Sequence, residues 1–336
     1  MILHLDLPQN GYDIILERGA LNRAAQYLKL DRRVLIVTDT GVPAQYANTI
    51  AAQCKDPVIE TVPTGEESKS FAMLERLCRT LMEHHFTRTD CVVAVGGGVV
   101  GDLAGFAAAS YMRGIDFYNC PTTVLSQVDS SIGGKVAINL DHVKNIVGAF
   151  YQPKAVLIDP EVLSTLPPRQ ISNGLSEAVK MSLTSDAVLF ELFESGKALD
   201  EIDTVIERSL RIKKAVVEQD EKESGLRRIL NFGHTLGHGV EAQNEKNGLY
   251  HGECVSLGMI PMCDASVRER LVKVLEMLSL PTKITDSIED VLDAASHDKK
   301  CAGDSISVVY VPRVGSFEIR RMLTEDWKNE MRKIMQ

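Results

Sequence analysis

The sequence predicts a two-domain chain, with an α/β first half built on a parallel sheet and a mostly α-helical second half. The 336 residues are enough for two domains. Short runs rich in β-branched residues alternate with helical patterns through the first half, as βαβ units require. Long helical patterns dominate after Pro160. The predicted domains are therefore residues 1–159 and 160–336.

Two strands expected in the first half, residues 33–38 and 91–95, are near-continuous apolar runs, which are typical of strands buried on both faces of a sheet. Residues 58–61 are a weaker strand candidate, 117–120 is a further predicted strand, and helices are predicted at 71–84 and 99–110. In the second half, helices are predicted at 205–217 and 271–278, and a strand pair at 305–311 and 316–319. This order favours a parallel sheet followed by a helical domain.

Composition and charge exclude several classes of protein. The net charge of −9 argues against nucleic acid or an anionic membrane as the main partner, so an anionic ligand would need a local basic pocket. Seven cysteines without a CxxC spacing predict neither a disulfide framework nor a zinc ribbon. No signal-peptide pattern follows Met1, and the longest apolar run, residues 91–100, is too short for a membrane span. We expect a soluble, cytoplasmic protein.

Gly96, Gly98 and Gly101 have the GxGxxG spacing of a dinucleotide-binding turn. The spacing alone is weak evidence, but here it follows a predicted strand and opens a predicted helix, where backbone N–H groups can approach a pyrophosphate. The acid that would bind the ribose departs from the usual order, because Asp116 begins the next strand whereas Asp39 ends an earlier one. The alternative is a tight turn that needs glycine for a positive φ.

A polar, glycine-bearing stretch follows the predicted strand at 117–120. The hydroxyls of Thr122 and Thr123 could hold a phosphate, but they could equally cap helices. Lys135 follows two glycines, and Lys144 and Asn145 lie in the same region. In an acidic chain this pattern favours an anion contact over a random surface charge.

Three of the eight histidines, His234, His238 and His251, fall in one short segment of the second half. A neutral imidazole is a common zinc ligand and the usual general base near pH 7, so the segment predicts a metal site, a proton-transfer site, or both. The spacing of His234 and His238 places them one turn apart on one helix face and favours them as a ligand pair. The alternative is a group of polar histidines on a solvated helix.

Six motifs occur in order along the chain. They are residues 96–102 (GGGVVGD), 121–123 (PTT), 127–135 (QVDSSIGGK), 174–180 (GLSEAVK), 226–238 (LRRILNFGHTLGH) and 251–253 (HGE). Together they resemble the dehydroquinate synthase family of sugar phosphate cyclases, and the resemblance runs from about Val34 to Lys300. It implies an N-terminal α/β domain of Rossmann type, a mostly α-helical C-terminal domain and an active site in the cleft between them.

The resemblance implies a metal site and two proton-transfer groups. Glu177, His234 and His251 match the metal ligands of the family, in which the metal is usually zinc and sometimes cobalt. One carboxylate and two imidazoles leave coordination positions open for substrate oxygens. The resemblance makes His238 a proton-transfer group rather than a ligand. Glu223 matches a proton acceptor, although a solvated surface acid is the alternative there.

The resemblance also implies substrate and cofactor contacts. The substrate-binding positions are Arg113, Asp129, Lys135, Asn145, Lys180, Lys213, Arg227, Asn231, His238 and Lys300, of which Lys135 and Asn145 are also expected to act in catalysis. The NAD-binding positions are Asp39, Glu66, Lys69, Gly97, Gly98, Val99, Asp102, Thr122, Thr123 and Lys144. Lys299 is an alternative to Lys300. Arg113 matches an arginine that the family supplies from a neighbouring subunit, which implies a homodimer.

The implied activity is the conversion of 3-deoxy-D-arabino-heptulosonate 7-phosphate to 3-dehydroquinate and phosphate, in the shikimate pathway of aromatic amino acid biosynthesis. Transient oxidation by NAD, phosphate elimination, re-reduction and intramolecular aldol closure would make up this lyase reaction. Three alternatives stay open: another sugar phosphate cyclase, a metal- and NAD-dependent polyol dehydrogenase, and a non-catalytic nucleotide-binding protein. The many cations at the matched positions favour an anionic substrate over an uncharged polyol.

Overall fold

The computed structural model describes residues 1–335 except 142, 244–246, 297–300 and 303. The chain divides into two compact units, Met1–Pro167 and Pro168–Gln336. The first unit is built on a seven-stranded sheet with helices, and the second is mainly helical with a small three-stranded sheet. The structure therefore confirms an α/β half followed by a mostly α-helical half.

The strands of the first unit are β1 (Ile2–Leu5), β2 (Tyr12–Leu16), β3 (Arg33–Asp39), β4 (Asp56–Val62), β5 (Cys91–Gly96), β6 (Asp116–Pro121), β7 (Lys135–Leu140), β8 (Val143–Phe150) and β9 (Ala155–Ile158). Seven of them form one sheet in the order β1-β2-β9-β6-β5-β3-β4. Every neighbouring pair is parallel except β1 with β2. The apolar patterns thus correctly predict β3 to β6.

Apolar layers cover both faces of this sheet, which explains why its central strands are continuously apolar. Val34 and Ile36 of β3 pack in one core cluster, and the intervening Leu35 packs in the other. Helix α1 (Ala44–Ala51) contributes Ile50 to the first cluster. The second cluster includes residues of α2 (Phe71–Glu83) and α3 (Gly98–Ser110), which confirms both predicted helices.

Strands β7 and β8 form a separate antiparallel hairpin. Val136 and Ile138 of β7 belong to the same core cluster as α3. A Cβ atom at Gly105 of α3 would lie 2.4 Å from Cγ1 of Val136, so the helix and the hairpin are in direct contact. This packing anchors the hairpin, which carries Lys135 and Asn145, to the helix that follows the glycine turn.

The helices of the second unit are α4 (Pro168–Ser185), α5 (Ala187–Glu194), α6 (Ile202–Gln219), α7 (His234–Glu241), α8 (His251–Met259), α9 (Ala265–Met277), α10 (Ile288–Ser296) and α11 (Thr324–Met335). Its antiparallel sheet has the order β10 (Cys301–Ala302), β11 (Ser305–Tyr310) and β12 (Glu318–Leu323). The predicted helices lie within α6 and along α9, and the predicted strand pair is β11 with β12. Among the helices that the structure describes, none combines the length and apolar character of a membrane span.

The first unit continues to Pro167, beyond the boundary predicted at residue 159. The side chain of Asp159 accepts hydrogen bonds from the backbone N–H groups of Gly19 and Leu21, each at 3.0 Å. The hydroxyl of Tyr46 donates to the carbonyl oxygen of Val162 at 3.2 Å. These contacts hold residues 160–165 on the first unit. The boundary between the two units therefore lies a few residues after the point at which the sequence becomes mainly helical in pattern.

Candidate active site

Three helices of the second unit bring Glu177, His234 and His251 together. Glu177 lies in the middle of α4, whereas the histidines are the first residues of α7 and α8. The distance to Oε1 of Glu177 is 3.6 Å from Nε2 of His234 and 3.4 Å from Nε2 of His251. One ligand atom from each residue lies within 4.8 Å of the other two. These three side chains therefore form a group that can hold one metal ion.

Glycine residues allow the three helices to approach this closely. A Cβ atom at Gly252 of α8 would lie 1.9 Å from the carbonyl oxygen of Asn173 on α4. A Cβ atom at Gly258 would lie 1.9 Å from the carbonyl oxygen of Gly233, which precedes α7. Any larger residue at either position would push the helices apart and separate the ligand atoms.

Hydrogen bonds fix the start of α8, where His251 lies. The side chain of Asn173 accepts from the backbone N–H of Gly252 at 2.7 Å. Glu253 accepts from the backbone N–H of Tyr250 at 2.8 Å and from two nitrogens of Arg169 at 2.7 Å each. Because Arg169 and Asn173 both belong to α4, the helix that carries Glu177 also sets the position of His251.

Each histidine of the group has a partner on its other ring nitrogen. Nδ1 of His234 lies 3.2 Å from the carbonyl oxygen of Phe232, and Nδ1 of His251 lies 3.2 Å from Oε2 of Glu241. A carbonyl or carboxylate oxygen at Nδ1 favours the tautomer that carries its proton there and leaves Nε2 as the ligand. Both Nε2 atoms are the ones that lie near Glu177, so the tautomers suit metal binding.

The electrostatics of the group also suit a cation. Glu177 is only 1% exposed, and Lys180 forms an ion pair with its carboxylate. Burial lowers the pKa of His251, but hydrogen bonds to Glu177 and Glu241 outweigh it and raise the pKa to about 10. The carboxylates thus favour a positive charge at this position, which a divalent cation would supply.

His238 lies one turn beyond His234 on α7, but the two imidazoles do not form a ligand pair. Their ring centroids are 5.5 Å apart and the rings are inclined at 83°. Neither of the two ligand groups found among the described residues contains both; His238 groups with Glu241 and His251 instead. The pair favoured by helical spacing is therefore wrong. The set implied by the family resemblance, Glu177 with His234 and His251, is the one that the structure brings together.

The other predicted substrate contacts of the second unit fall on α4, α6 and the segment before α7. Lys180, Lys213 and Arg227 are buried, which is uncommon for cationic side chains. Asn231 donates a hydrogen bond to Oε1 of Glu223 at 2.7 Å. Glu223 is therefore held in place by a predicted substrate-binding residue rather than being a freely solvated acid. Lys299 and Lys300 lie outside the described residues.

Asp220, which the sequence analysis did not single out, shapes the turn that carries Glu223 and Arg227. Its carboxylate accepts from the backbone N–H groups of Ser224, Gly225 and Arg227 at 2.7–2.9 Å. Burial raises the pKa of Asp220, but these backbone hydrogen bonds lower it by more, so that the pKa is about 2. The Ser224-Gly225 pair is typical of a turn, and this is the signal that could have drawn attention to the segment after Asp220.

In the first unit, the glycine turn joins β5 to α3 as predicted. Gly97 and Gly98 are not among the residues with positive φ, so the tight-turn alternative is wrong. A Cβ atom at Gly97 would lie 3.1 Å from Cγ2 of Thr123, and one at Gly98 would lie 3.1 Å from Oγ of Ser130. A side chain at Gly97 or Gly98 would therefore be crowded by the following segment, and the first N–H groups of α3 have no partner within the helix.

The acid and hydroxyl groups near this turn already have structural roles. Oδ1 of Asp39 accepts from the backbone N–H groups of Gly41 at 2.7 Å and Val42 at 3.1 Å. The hydroxyls of Thr123 and Ser126 lie 2.8 Å apart, and each interacts with the backbone N–H of the other residue at 3.2 Å. Thr123 therefore caps the following turn, which is the alternative to phosphate binding that the sequence analysis left open. Thr122 is buried.

Lys69 is the centre of a polar network that joins Glu66 and Asp102 to the β7–β8 hairpin. Its ammonium lies 2.6 Å from Oδ2 of Asp102 and 3.6 Å from Oε1 of Glu66, and it also donates to Oδ1 of Asn145. Asn139, which the sequence reasoning missed, donates to Glu66 at 2.9 Å and accepts from the backbone N–H of Asn145 at 2.8 Å. Three predicted NAD contacts and one predicted substrate contact thus share one network.

The remaining predicted contacts of the first unit lie close to solvent. Lys135 and Lys144 are exposed on the β7–β8 hairpin, and Asp129 is half-buried in the turn before it. Arg113 is exposed after α3 and has a left-handed backbone with φ of 68°. Lys135 pairs with Phe150 at the base of the hairpin, whereas Asn145 lies beside Asn139 near its tip.

Comparisons with known proteins show the family to which the chain is related. Models of the N-terminal and C-terminal regions of 3-dehydroquinate synthase match residues 59–173 and 174–301. The chain is 39% identical to the 3-dehydroquinate synthase of Streptococcus thermophilus (strain CNRZ 1066), over 99% of the chain and the whole of that protein.

Two solved structures of similar enzymes share the fold over nearly the whole chain. A 2-deoxy-scyllo-inosose synthase complexed with carbaglucose-6-phosphate, NAD+ and Co2+ is 25% identical with a TM-score of 0.90, covering 99% of this chain and 100% of its own. The 2-epi-5-epi-valiolone synthase of Streptomyces hygroscopicus subsp. jinggangensis 5008, with NAD+ and Zn2+ bound, is 25% identical with a TM-score of 0.88, covering 98% of both chains.

We predict that Asp220→Asn lowers the free energy of unfolding by about 2 kcal/mol at neutral pH, because the amide loses the charged acceptor of three backbone N–H groups. The pKa of Asp220 is lowered from an ordinary 3.8 to about 2, so its stabilisation is full above 3.8 and is lost as the pH falls towards 2. Denaturant titrations followed by circular dichroism at several pH values measure this effect. Exposed Asp200 provides the control as Asp200→Asn; an equal effect of both substitutions, or a difference independent of pH, contradicts the assignment.

Proposed function

The chain belongs to the 3-dehydroquinate synthase family, and on that premise we propose that it converts 3-deoxy-D-arabino-heptulosonate 7-phosphate to 3-dehydroquinate and phosphate. It is an enzyme, a lyase of the shikimate pathway. The observation that carries the substrate-level proposal is the group of Glu177, His234 and His251, in which two imidazole Nε2 atoms face one buried carboxylate oxygen. That the active site lies between the two domains stays a prediction.

We propose that these three residues hold a divalent zinc or cobalt ion. The donor set fits, because both imidazoles have an oxygen partner at Nδ1 and their Nε2 atoms lie 3.6 Å and 3.4 Å from Oε1 of Glu177. Similar enzymes hold Co2+ or Zn2+. A cation bound by three protein ligands supplies Lewis-acid stabilisation of a substrate alkoxide. Lys180, paired with Glu177, would balance charge beside the substrate.

We propose that NAD binds at the glycine turn and the neighbouring polar network. NAD supplies reversible acceptance of a hydride, so that the net reaction involves no oxidation or reduction. The backbone N–H groups at Gly97, Gly98 and Val99 would face its phosphates. The other proposed contacts are the carboxylates, cations and hydroxyls of Asp39, Glu66, Lys69, Asp102, Thr122, Thr123 and Lys144. The network of Lys69 would orient Asp102 and Glu66 for this purpose.

The substrate carries a carboxylate and a phosphate, so its binding requires several cations. Arg227 and Lys213, both buried, are proposed to bind the substrate carboxylate, a role suited to bidentate arginine. Lys135 and Asn145 on the hairpin are proposed to contact the substrate and take part in catalysis. Asp129, Lys180, Asn231 and Lys300 complete the proposed contacts.

His238 is proposed to move a proton during the reaction. Its ring centroid lies 6.2 Å from that of His251, close enough for a substrate bound at the metal ligands to reach it. Glu223 is proposed as a second proton carrier, held by Asn231 at 2.7 Å. A fixed orientation of both groups matters, because several steps share one site and a positioned acid or base contributes about 100- to 10,000-fold to each proton transfer.

We further propose a cytoplasmic homodimer in which Arg113 reaches the active site of the neighbouring copy. Arg113 is exposed at the end of α3, where it is available to another chain. Six of the seven cysteines are free thiols, in agreement with a reducing compartment.

Another sugar phosphate cyclase activity is the second candidate, because two such enzymes share the fold with TM-scores of 0.88 and 0.90. The sequence identity of 39% to a 3-dehydroquinate synthase, against 25% to these cyclases, favours the synthase. The buried Arg227 and Lys213 also favour a substrate with a carboxylate.

The first experiment measures phosphate release. We predict that the purified protein releases inorganic phosphate from 3-deoxy-D-arabino-heptulosonate 7-phosphate without accumulating NADH, since the hydride returns to the product. Removal of the metal with a chelator should abolish the release, and added Zn2+ or Co2+ should restore it. Release from glucose 6-phosphate instead would support another cyclase, whereas steady accumulation of NADH with a polyol would support a dehydrogenase.

His251→Ala should abolish phosphate release and weaken metal binding while the fold is retained, because it removes one of the three proposed ligands. Metal content of the purified variant and its circular dichroism spectrum measure the two effects. His84→Ala, at an exposed histidine of the first unit, is the matched control and should keep both metal and activity. Full metal content in His251→Ala would refute the ligand assignment.

Lys135→Ala should reduce kcat/KM for the heptulosonate phosphate by the equivalent of about 2–4 kcal/mol, the cost of losing a charge-assisted contact to the substrate. Steady-state kinetics measure the loss, and metal content should stay normal. Lys55→Ala, which removes another exposed lysine from the first unit, is the control. Equal catalytic efficiency of both variants and the unaltered protein would exclude Lys135 from substrate binding.

A further inference from the structure

We propose that Glu241 is a positioning residue for the metal ligand His251, a role that rests on the proposed metal site. Its carboxylate would hold the imidazole in the tautomer and orientation that direct Nε2 to the cation. The effect would be a higher affinity for the cation, with no contact between Glu241 and the substrate.

The imidazole of His251 lies between two carboxylates. Nδ1 is 3.2 Å from Oε2 of Glu241, and Nε2 is 3.4 Å from Oε1 of Glu177. The Glu241 side chain is 13% exposed, so water screens this contact only in part. A proton on Nδ1, donated to Glu241, leaves the lone pair on Nε2 directed towards the ligand group.

The two histidine ligands are held by chemically different partners. His234 has a neutral backbone carbonyl at Nδ1, whereas His251 has a carboxylate. A carboxylate at the distal nitrogen makes the imidazole a stronger electron donor than a carbonyl does, and such partners of metal-bound histidines typically change metal affinity by about 10- to 100-fold. Glu241 should therefore raise the affinity of the site for the cation more than a neutral side chain at position 241 would.

One helix supplies both a ligand and the partner of the other ligand. His234 is the first residue of α7 and Glu241 is the last, so about two helical turns separate them and place them on the same side of the helix. The two helices run in opposite directions, with Gly258 beside Gly233 and Gly237 beside Cys254, so the start of α8 lies beside the end of α7, and Nδ1 of His251 is 3.2 Å from Oε2 of Glu241. The position of Glu241 is thus set by the same packing that assembles the ligands.

The same atoms allow a different use, since His238, Glu241 and His251 can also hold a cation. The orientation of His251 argues against this use, because its Nδ1 cannot donate a proton to Glu241 and bind a second cation at once. Its Nε2 is directed to Glu177. We therefore infer one cation per chain, with Glu241 acting through His251.

The test measures the affinity and stoichiometry of Zn2+ and Co2+ on the metal-depleted full chain, by competition with a chelating dye, for the unaltered protein, Glu241→Gln and Glu241→Ala. We expect one cation per chain in all three. Affinity should fall by about 10- to 100-fold in Glu241→Ala and by less in Glu241→Gln, because the amide oxygen can still accept from Nδ1. The visible absorption of bound Co2+ should also change between the variants.

Glu207→Gln is the matched control, since this carboxylate of α6 pairs with Arg211. It should leave metal affinity unchanged. With saturating metal, phosphate release by Glu241→Gln should approach that of the unaltered protein, whereas at limiting metal it should be lower. Circular dichroism checks the fold, and Glu241→Gln carries the test if Glu241→Ala does not fold.

Unchanged metal affinity in Glu241→Gln and Glu241→Ala would overturn the proposal while leaving the proposed function intact. Two cations in the unaltered protein, falling to one in the variants without loss of the tighter affinity, would overturn it in favour of a second cation site. If the unaltered protein bound no metal and released no phosphate, the proposed function and this inference would fail together.

Discussion

The burial of the Glu177 carboxylate is the constraint on which the second unit depends, because an ionised carboxylate away from water is strongly destabilising unless positive charge lies beside it. Lys180 provides one positive group from the same helix, and the imidazoles of His234 and His251 approach from α7 and α8. The three helices have to remain close for these groups to meet. The assembly of the ligand group therefore depends on the packing of these three helices.

Helix packing explains the motif at residues 251–253 more fully than metal chemistry does. His251 supplies the ring, Gly252 permits contact with the backbone of Asn173, and Glu253 closes the helix start and binds Arg169. Each letter of the motif thus has a different physical role. Only His251 belongs to the proposed ligand group, and the other two residues fix where its ring lies relative to Glu177.

The sequence predicted the fold where a local pattern decides the structure. Strands β3, β5 and β6 are buried on both faces of the sheet, and this burial is readable from their composition, whereas the edge strand β4 is largely exposed. Strands β1 and β2 are short, and the β7–β8 hairpin is largely exposed, so their sequences carry a weaker signal.

The candidate site was predictable only where the family resemblance supplied the missing tertiary information. Helical spacing favoured His234 with His238, because spacing specifies a face of a helix but not the direction of each ring nitrogen. Glu177 comes from a distant helix, and no local pattern connects it to the histidines. Asn139 and Glu241 were missed for the same reason, since their partners lie on other elements of the fold.

On the nucleotide side, the polar groups are paired with one another before any ligand is considered. Lys69 is only 4% exposed, and Asp102 neutralises its charge at 2.6 Å, so it cannot serve as a bare cation for a phosphate. Its proposed part in NAD binding is to orient the carboxylates of Glu66 and Asp102. Asn139 accepts from the N–H of Asn145, whose backbone is left-handed, and also donates to Glu66. The β7–β8 hairpin therefore shares one hydrogen-bond network with Glu66, Lys69 and Asp102. A substitution that moves the hairpin would also move these proposed NAD contacts.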